Sequence, residues 1–465
     1  MPAVLHVSLV DGAVPIVLFT LAAAGGIYLA TRRRGRSWWM IGLPLVLAGA
    51  AGSAVLIAWL VDHVWQPFTD PIPTLAVAAI GAVLATIALL VPAVRKASPR
   101  RRVLAALSAV VIVFAAANSV NQLYGYYPTI AAAFGRPPAR QIPLPPKHSA
   151  HDASSTQASA PDPSSADPAS SSGAPSSAAT GGAGHAGARP THGTRPKTGA
   201  VSKVEIPGTI SGFHARAAWV YLPPAYLVDP RPDLPVLVLI PGQPGGPDNW
   251  MEGGRAIATL DAFAASHGGK APITVMPDAS GSPTAPQLCT NSALGNVDTY
   301  LSRDVPDWIR KNLQVDPDTR HWAIAGFSYG GTCALTLAVA HPDLYPTFLD
   351  ISGELGPTLG DPRHTIDRAF HGDAAAYEAV QPLRILEMHA HNADRARAWA
   401  ALDGTFVVGQ ADRKYTKVRA TVTHGCHSAG ITVHEFTEPG THSWYVAAQA
   451  FRQALPHLAE RMKLE

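Results

Sequence analysis

Four stretches of this chain carry no charged residue: 14–30, 38–61, 73–94 and 103–120. Each is close to the roughly 20 apolar residues that cross a hydrocarbon core. The pattern predicts four membrane-spanning helices. Trp38, Trp39, Trp59 and Trp65 bracket the second run, and Tyr124, Tyr126 and Tyr127 follow the fourth, where amphipathic rings settle at a membrane interface. A second pattern covers residues 135–200, almost entirely Ala, Ser, Pro and Gly. Such a segment has too little apolar surface to fold and reads as a linker. About 60 residues of this kind span about 45 Å on average.

From Val201 a third pattern begins. Short Val- and Ile-rich runs at 216–221, 235–240, 272–276, 320–325, 346–351, 404–409 and 431–436 read as strands. Longer segments of helical spacing separate them, at 249–266, 296–313, 328–341, 373–380, 394–402 and 443–462. Strands alternating with helices predict a mostly parallel sheet covered on both faces. The chain therefore divides into an all-α membrane region (1–134), a linker (135–200) and an α/β domain (201–465).

The basic residues orient this arrangement. Arg32, Arg33, Arg34 and Arg36 lie between the first two apolar runs, and Arg95, Lys96, Arg100, Arg101 and Arg102 between the last two. The N-terminal tail and the 62–72 loop have neither Lys nor Arg. The positive-inside rule puts both basic loops in the cytoplasm and the α/β domain outside it. The first run has its basic cluster behind it rather than in front, so it does not read as a cleaved signal peptide. Asp62 and His63 are ionisable but stand at the end of a run, so the helices read as an anchor, with a lipid-presenting role open. The net charge of +3 over 465 residues, concentrated in these loops, argues against a nucleic-acid partner. The linker histidines, such as His151 and His185, read as solvated side chains.

One stretch carries candidate chemistry. Gly326-Phe327-Ser328-Tyr329-Gly330 follows an expected strand and opens an expected helix. This strand–turn–helix setting is what a nucleophile elbow requires of G-x-S-x-G. A serine hydroxyl needs a base to become nucleophilic. His442, between the last strand and the last helix, is the best placed of the domain's histidines. An acid must hold the imidazole, and Asp412, just after the 404–409 strand, completes the order Ser328, Asp412, His442. Glu435 and Glu438 are rivals beside the histidine's own strand. The oxyanion donors are expected at the backbone N–H of Tyr329 and at Gly242 or Gln243 in the PGQPGG loop. Outside the cytoplasm disulfides are permitted. Cys289 and Cys333 both fall at the carboxyl edge of the sheet and can pair, leaving Cys426 free; three buried thiols are the alternative.

These residues carry a resemblance. GTHSW before a long helix, and HPDLYPTFLDISGELGP, resemble segments of the mycolyltransferases of mycobacterial envelopes. VDTYLSRDVPDWIRKNLQVDPDTRHWAIAGFSYGGTCAL resembles the wider esterase family that includes esterase D and enterochelin esterases. The resemblance covers residues 201–465 and implies an α/β-hydrolase fold with a Ser-Asp/Glu-His site acting on esters. The chain departs from the mycolyltransferases in a longer, glycine-rich 242–254 loop, a second glycine after the motif, and the four apolar runs. The expected protein is a membrane-anchored extracytoplasmic serine esterase with no cofactor, no metal and no protein partner. Envelope or lipid esters, glycolipids included, are its expected substrates. An acyltransferase delivering to a sugar or glycolipid, and a non-catalytic binding module, are the alternatives.

Overall fold

A computed structural model describes residues 7–31, 35–65, 70–95, 97–134, 139–147 and 194–464. The apolar runs form α1 (Ala13–Ala30), α2 (Leu43–Leu60), α3 (Thr74–Val94) and α4 (Pro99–Tyr124). All four are long and apolar enough to cross a membrane, α2 being lengthened at both ends by π-type turns. Their outer faces expose Ile16, Leu45, Val55 and Phe114, as helices that meet lipid do. Leu29, Leu89, Ala93 and Ala105 pack together at one end of the bundle, where Arg95 ends α3 and Arg100, Arg101 and Arg102 open α4. At the other end the Asn118 amide donates to the Leu9 carbonyl, and Ser8 bridges to Thr129.

That second end meets the α/β domain. The Tyr126 hydroxyl donates to the Pro244 carbonyl at 2.5 Å, and Asp70, in the α2–α3 connection, binds Lys414 and Tyr415.

Among the described residues the main sheet has nine strands: β1 (Arg140–Gln141), β2 (Ala200–Val204), β3 (Ala218–Leu222), β4 (Val236–Ile240), β5 (Ile273–Met276), β6 (Ala323–Phe327), β7 (Thr347–Ile351), β8 (Asp403–Gly409) and β9 (Thr432–Glu438). Their order is β1-β2-β3-β5-β4-β6-β7-β8-β9. Only β3 runs against its neighbours; the remaining pairs are parallel. From β2 onward this is the strand order of an α/β-hydrolase. The β4 and β6 sequences, VLVLI and AIAGF, are buried at every position, as a parallel sheet covered on both faces requires. The covering helices include α5 (Ala256–Ser266), α6 (Val305–Asn312) and α7 (Tyr329–Ala340). Four short helices between β7 and β8 follow, α8 (Pro362–Ala369), α9 (Ala374–Glu378), α10 (Pro382–Met388) and α11 (Ala393–Ala400), then α12 (Arg413–Ser428) and α13 (Trp444–Arg461).

All seven expected strands are present. The one expected at 320–325 begins later, at Ala323, because Asp318 caps a 3-10 turn over Thr319–His321. Unexpected are β1, β2 and the helices α8, α10 and α12. The α12 sequence RKYTKVRATVTHGCHS is rich in β-branched residues, which favour strands in isolation. Packing on β8 and β9 overrides that preference.

The linker expected over 135–200 lies outside the described residues from 148 to 193. Its two flanks are laid on the domain. Arg140 and Gln141 pair in parallel with Ala200 and Val201, and the Ile142 and Leu144 side chains pack on the core. The apolar residues among the prolines of RQIPLPPK explain why this end leaves the linker pattern. The expected reach of about 45 Å therefore does not set the distance between bundle and domain, which touch directly.

Candidate active site

The turn from β6 into α7 places Ser328 at the carboxyl edge of the sheet. Ser328 has φ 56° and ψ −120°, a conformation a non-glycine residue adopts only when its surroundings enforce it. Glycine is required on both sides. A Cβ on Gly326 would lie 2.0 Å from Gly330, and one on Gly330 would lie 2.1 Å from the Ile240 carbonyl. The second glycine has its own cause: a Cβ on Gly331 would meet an Asp350 carboxylate oxygen at 2.3 Å. Asp350 is buried beneath this turn, where its Oδ1 accepts the Gly353 N–H at 2.7 Å. Burial pushes its carboxyl up to about 7.

His442 enters from the β9–α13 connection. Its Nδ1 lies 3.0 Å from Oδ2 of Asp412, whose other oxygen accepts the Tyr415 N–H at the start of α12. The imidazole is sandwiched between Tyr415 (ring centroids 4.2 Å apart) and Phe327 (4.9 Å). Asp412 is nearly buried and His442 is partly open, and His442 shares one cavity with Ser328. The rival Glu435 faces Arg419 at 3.4 Å instead. Two other histidine–carboxylate pairs serve elsewhere. His321–Asp316 precedes β6, and His341–Asp298 follows α7.

Gly242 and Gln243 line the same cavity, and a Cβ on Gly242 would be 3.4 Å from that of Ser328. The Gln243 side chain is tied to the Ala285 carbonyl. Tyr329 is the first residue of α7, so its N–H has no partner within the helix. The structure thus brings Ser328, Asp412, His442, Tyr329, Gly242 and Gln243 to one edge. Cys289 and Cys333 are joined as a disulfide, which links the loop after β5 to α7.

Sequence reasoning passed over the polar residues behind His442. The Tyr415 hydroxyl lies 2.8 Å from a carboxylate oxygen of Asp70 and of Glu354, which share its one proton, and Lys414 bridges the same two carboxylates. Burial opposes ionisation of Asp70, but Lys414 and Tyr415 outweigh it and hold the carboxyl below its ordinary range. Burial and the two carboxylates push the Tyr415 phenol far up, so it stays a donor. Trp444 was also passed over. It packs edge-on against Trp250 and Phe327 and carries the chain from His442 into α13. The W of GTHSW was the available signal.

Asp403, His434 and His457 form a group with metal-ligand chemistry among the described residues. Asp403 opens β8 at the amino edge of the sheet, away from Ser328, and its carboxylate also faces Arg461 at 3.4 Å. That cation already neutralises it.

An α/β-hydrolase sheet carrying a serine, a histidine and an aspartate at its carboxyl edge defines the class. The chain belongs to the family described as "Putative esterase", whose model matches residues 214–459. An uncharacterized protein of Corynebacterium glutamicum is 34% identical over 467 residues, covering 99% of this chain and 98% of that one. A protein of Mycobacterium leprae named diacylglycerol acyltransferase/mycolyltransferase Ag85A is 31% identical over 121 residues, 26% of this chain and 33% of that protein. Among solved structures, a ferulic acid esterase aligns with a TM-score of 0.49 and 20% identity, over 57% of this chain and 99% of that one. The family and fold support an esterase or acyltransferase activity.

Proposed function

We propose that this protein is a membrane-anchored serine hydrolase of the extracytoplasmic face, cleaving carboxylic esters of envelope lipids through an acyl-enzyme. The observation that carries the reading is the pairing of Asp412 with His442, which shares its cavity with the strained Ser328. Asp412 holds the imidazole with its Nδ1 proton inward, leaving Nε2 to take the Ser328 proton. The serine oxygen bonds to the ester carbonyl carbon while the Tyr329 N–H and the Gly242–Gln243 backbone stabilise the oxyanion. The carbon–oxygen bond to the alcohol then breaks, and His442 returns the proton to the departing alcohol. Water, activated by the same histidine, releases the acid and restores the serine.

Charge and geometry together support this side of the membrane. The domain docks at the end of the bundle where the 62–72 loop lacks Lys and Arg, and Arg95, Arg100, Arg101 and Arg102 lie at the far end. The positive-inside rule makes the docking end extracytoplasmic. Transfer of the acyl group to a second alcohol is the other reading. It is favoured by the similarity to a protein named as an acyltransferase.

The test uses the full chain with a chromogenic ester, with and without a sugar or glycolipid acceptor. Ser328→Ala is expected to lose turnover by about 10⁴-fold or more, as removal of a triad nucleophile does, and to lose labelling by a fluorophosphonate. Retained turnover in that variant refutes the mechanism. Free acid that is indifferent to the acceptor identifies the hydrolase, and acylated acceptor the transferase.

A further inference from the structure

The cavity at Ser328 does not end in the α/β domain. It has a volume of about 570 Å³, and most of its wall is supplied by the membrane bundle. From α3 it is lined by Ala76, Ala79, Ile80, Val83 and Leu84, spaced as one helical face. From α4 it is lined by Val113, Ala116, Ala117, Val120 and Tyr124, again one face. Alanines on both helices leave the space, and the branched residues make its walls apolar. Gly242, Gln243, Phe327, Ser328, His442 and Trp444 close the catalytic end.

We infer that the bundle is half of the substrate site: the acyl chain of a bilayer lipid ester lies in the slot between α3 and α4, with its carbonyl at Ser328. The inference rests on the esterase reading above and names its substrate class. Three observations support this occupant. The first is depth. From Tyr124 to Val113, α4 covers about 16 Å at 1.5 Å per residue, about half of a hydrocarbon core of about 30 Å, or one leaflet. The second is chemistry. No charged side chain lines the slot below Asp70 at its mouth, and Asp70 is already paired with Lys414. The third is continuity. The acyl group stays bonded to the serine while the alcohol departs, so the slot that runs on from Ser328 suits the part that stays.

The polar cluster at the mouth fixes the two halves together. Asp70 reaches from the α2–α3 connection to Tyr415, whose ring stacks on His442. The membrane region thus contacts the residue that positions the base. An ester drawn from the leaflet would meet Ser328 without its chain passing through water.

The experiment uses the full chain in lipid nanodiscs with p-nitrophenyl butyrate and p-nitrophenyl palmitate. Ala79→Trp and Ala117→Trp fill the slot; Leu75→Trp places the same ring on α3 at an exposed position. Each slot variant is expected to lower the palmitate-to-butyrate ratio of kcat/KM by about tenfold or more, since losing two buried methylenes already gives that factor. The ratio in Leu75→Trp is expected to stay at the unmodified value. An unchanged ratio in the slot variants, or an equal fall in Leu75→Trp, overturns the inference while leaving the esterase reading intact. Absence of turnover on both esters, with Ser328 unlabelled by fluorophosphonate, removes the esterase reading and the inference with it. A second measurement needs no variant. A long-chain alkyl fluorophosphonate with a terminal diazirine should crosslink to α3 or α4 after labelling Ser328. Crosslinks confined to the α/β domain overturn the inference.

Discussion

Asp350 shows how much of the site rests on a single buried group. It fills the space that Gly331 and Gly353 leave open, and it holds the chain that follows β7 through the Gly353 N–H. Burial raises its carboxyl from the ordinary 3.8 to about 7, so the folded state prefers it protonated. The sign follows. Stability is greatest below the ordinary value, declines as pH rises between the two, and levels off above about 7. The full difference is worth about 4 kcal/mol at about 1.36 kcal/mol per unit. Asp350→Asn, which keeps an acceptor for Gly353, should remove most of that decline. Melting temperatures of both proteins between about pH 4 and pH 8 check it, and parallel curves would reject the role. The sequence displayed the glycines but not their cause. G-x-S-x-G could be read because each residue has a local backbone reason. The reason for Gly331 lies on the neighbouring strand and needed the sheet order.

Among the elements, α7 joins the nucleophile turn to the loop after β5. It carries the Tyr329 N–H at its start and is tied by Cys333 to Cys289 in the loop after β5. The separation of 44 residues gives a bridge worth about 4 kcal/mol by loop-closure entropy. Reduction, or the Cys289→Ala/Cys333→Ala pair, should lower the stability read from the denaturation midpoint accordingly, by about 2 kcal/mol or more. An unchanged midpoint would mean that the loop is held by its other contacts. Cys426 should not interfere, because burial pushes its thiol up to about 12 and keeps it protonated. Strands were legible from their Val- and Ile-rich runs, whereas α12 was not. Its Thr and Val content gives the wrong local signal, and only its packing makes it helical. Asp412 was found from its place after a strand, but its service as the N-cap of α12 was hidden with the helix.

On the scale of the whole molecule, the sequence separated three materials but could not show that the outer two touch. Nothing local in Asp70 or Tyr126 predicts partners some 344 or 118 residues away. A reading by composition treats 135–200 as distance between two bodies. The pairing of Arg140 with Ala200 changes what a cut there would do. Protease added to spheroplasts should nick the chain between 148 and 193 if the domain lies outside the cytoplasm, and full protection would place it inside. The nicked halves should migrate as one species in mild detergent and separate only on denaturation. Early separation would show that the contacts at Asp70, Tyr126 and β1 do not hold the bundle to the domain.

The same pairing makes the protein separable in a different sense. The chain leaves the sheet edge at β1 and returns to it at β2, so the intervening residues connect two points of one surface. The polypeptide could then be encoded as two genes, one ending after Lys147 and one beginning at Thr194, with the first strand of the catalytic sheet supplied in trans by the membrane half. Ester turnover would serve as a reporter of their reassembly, and a foreign domain could be spliced at the same place.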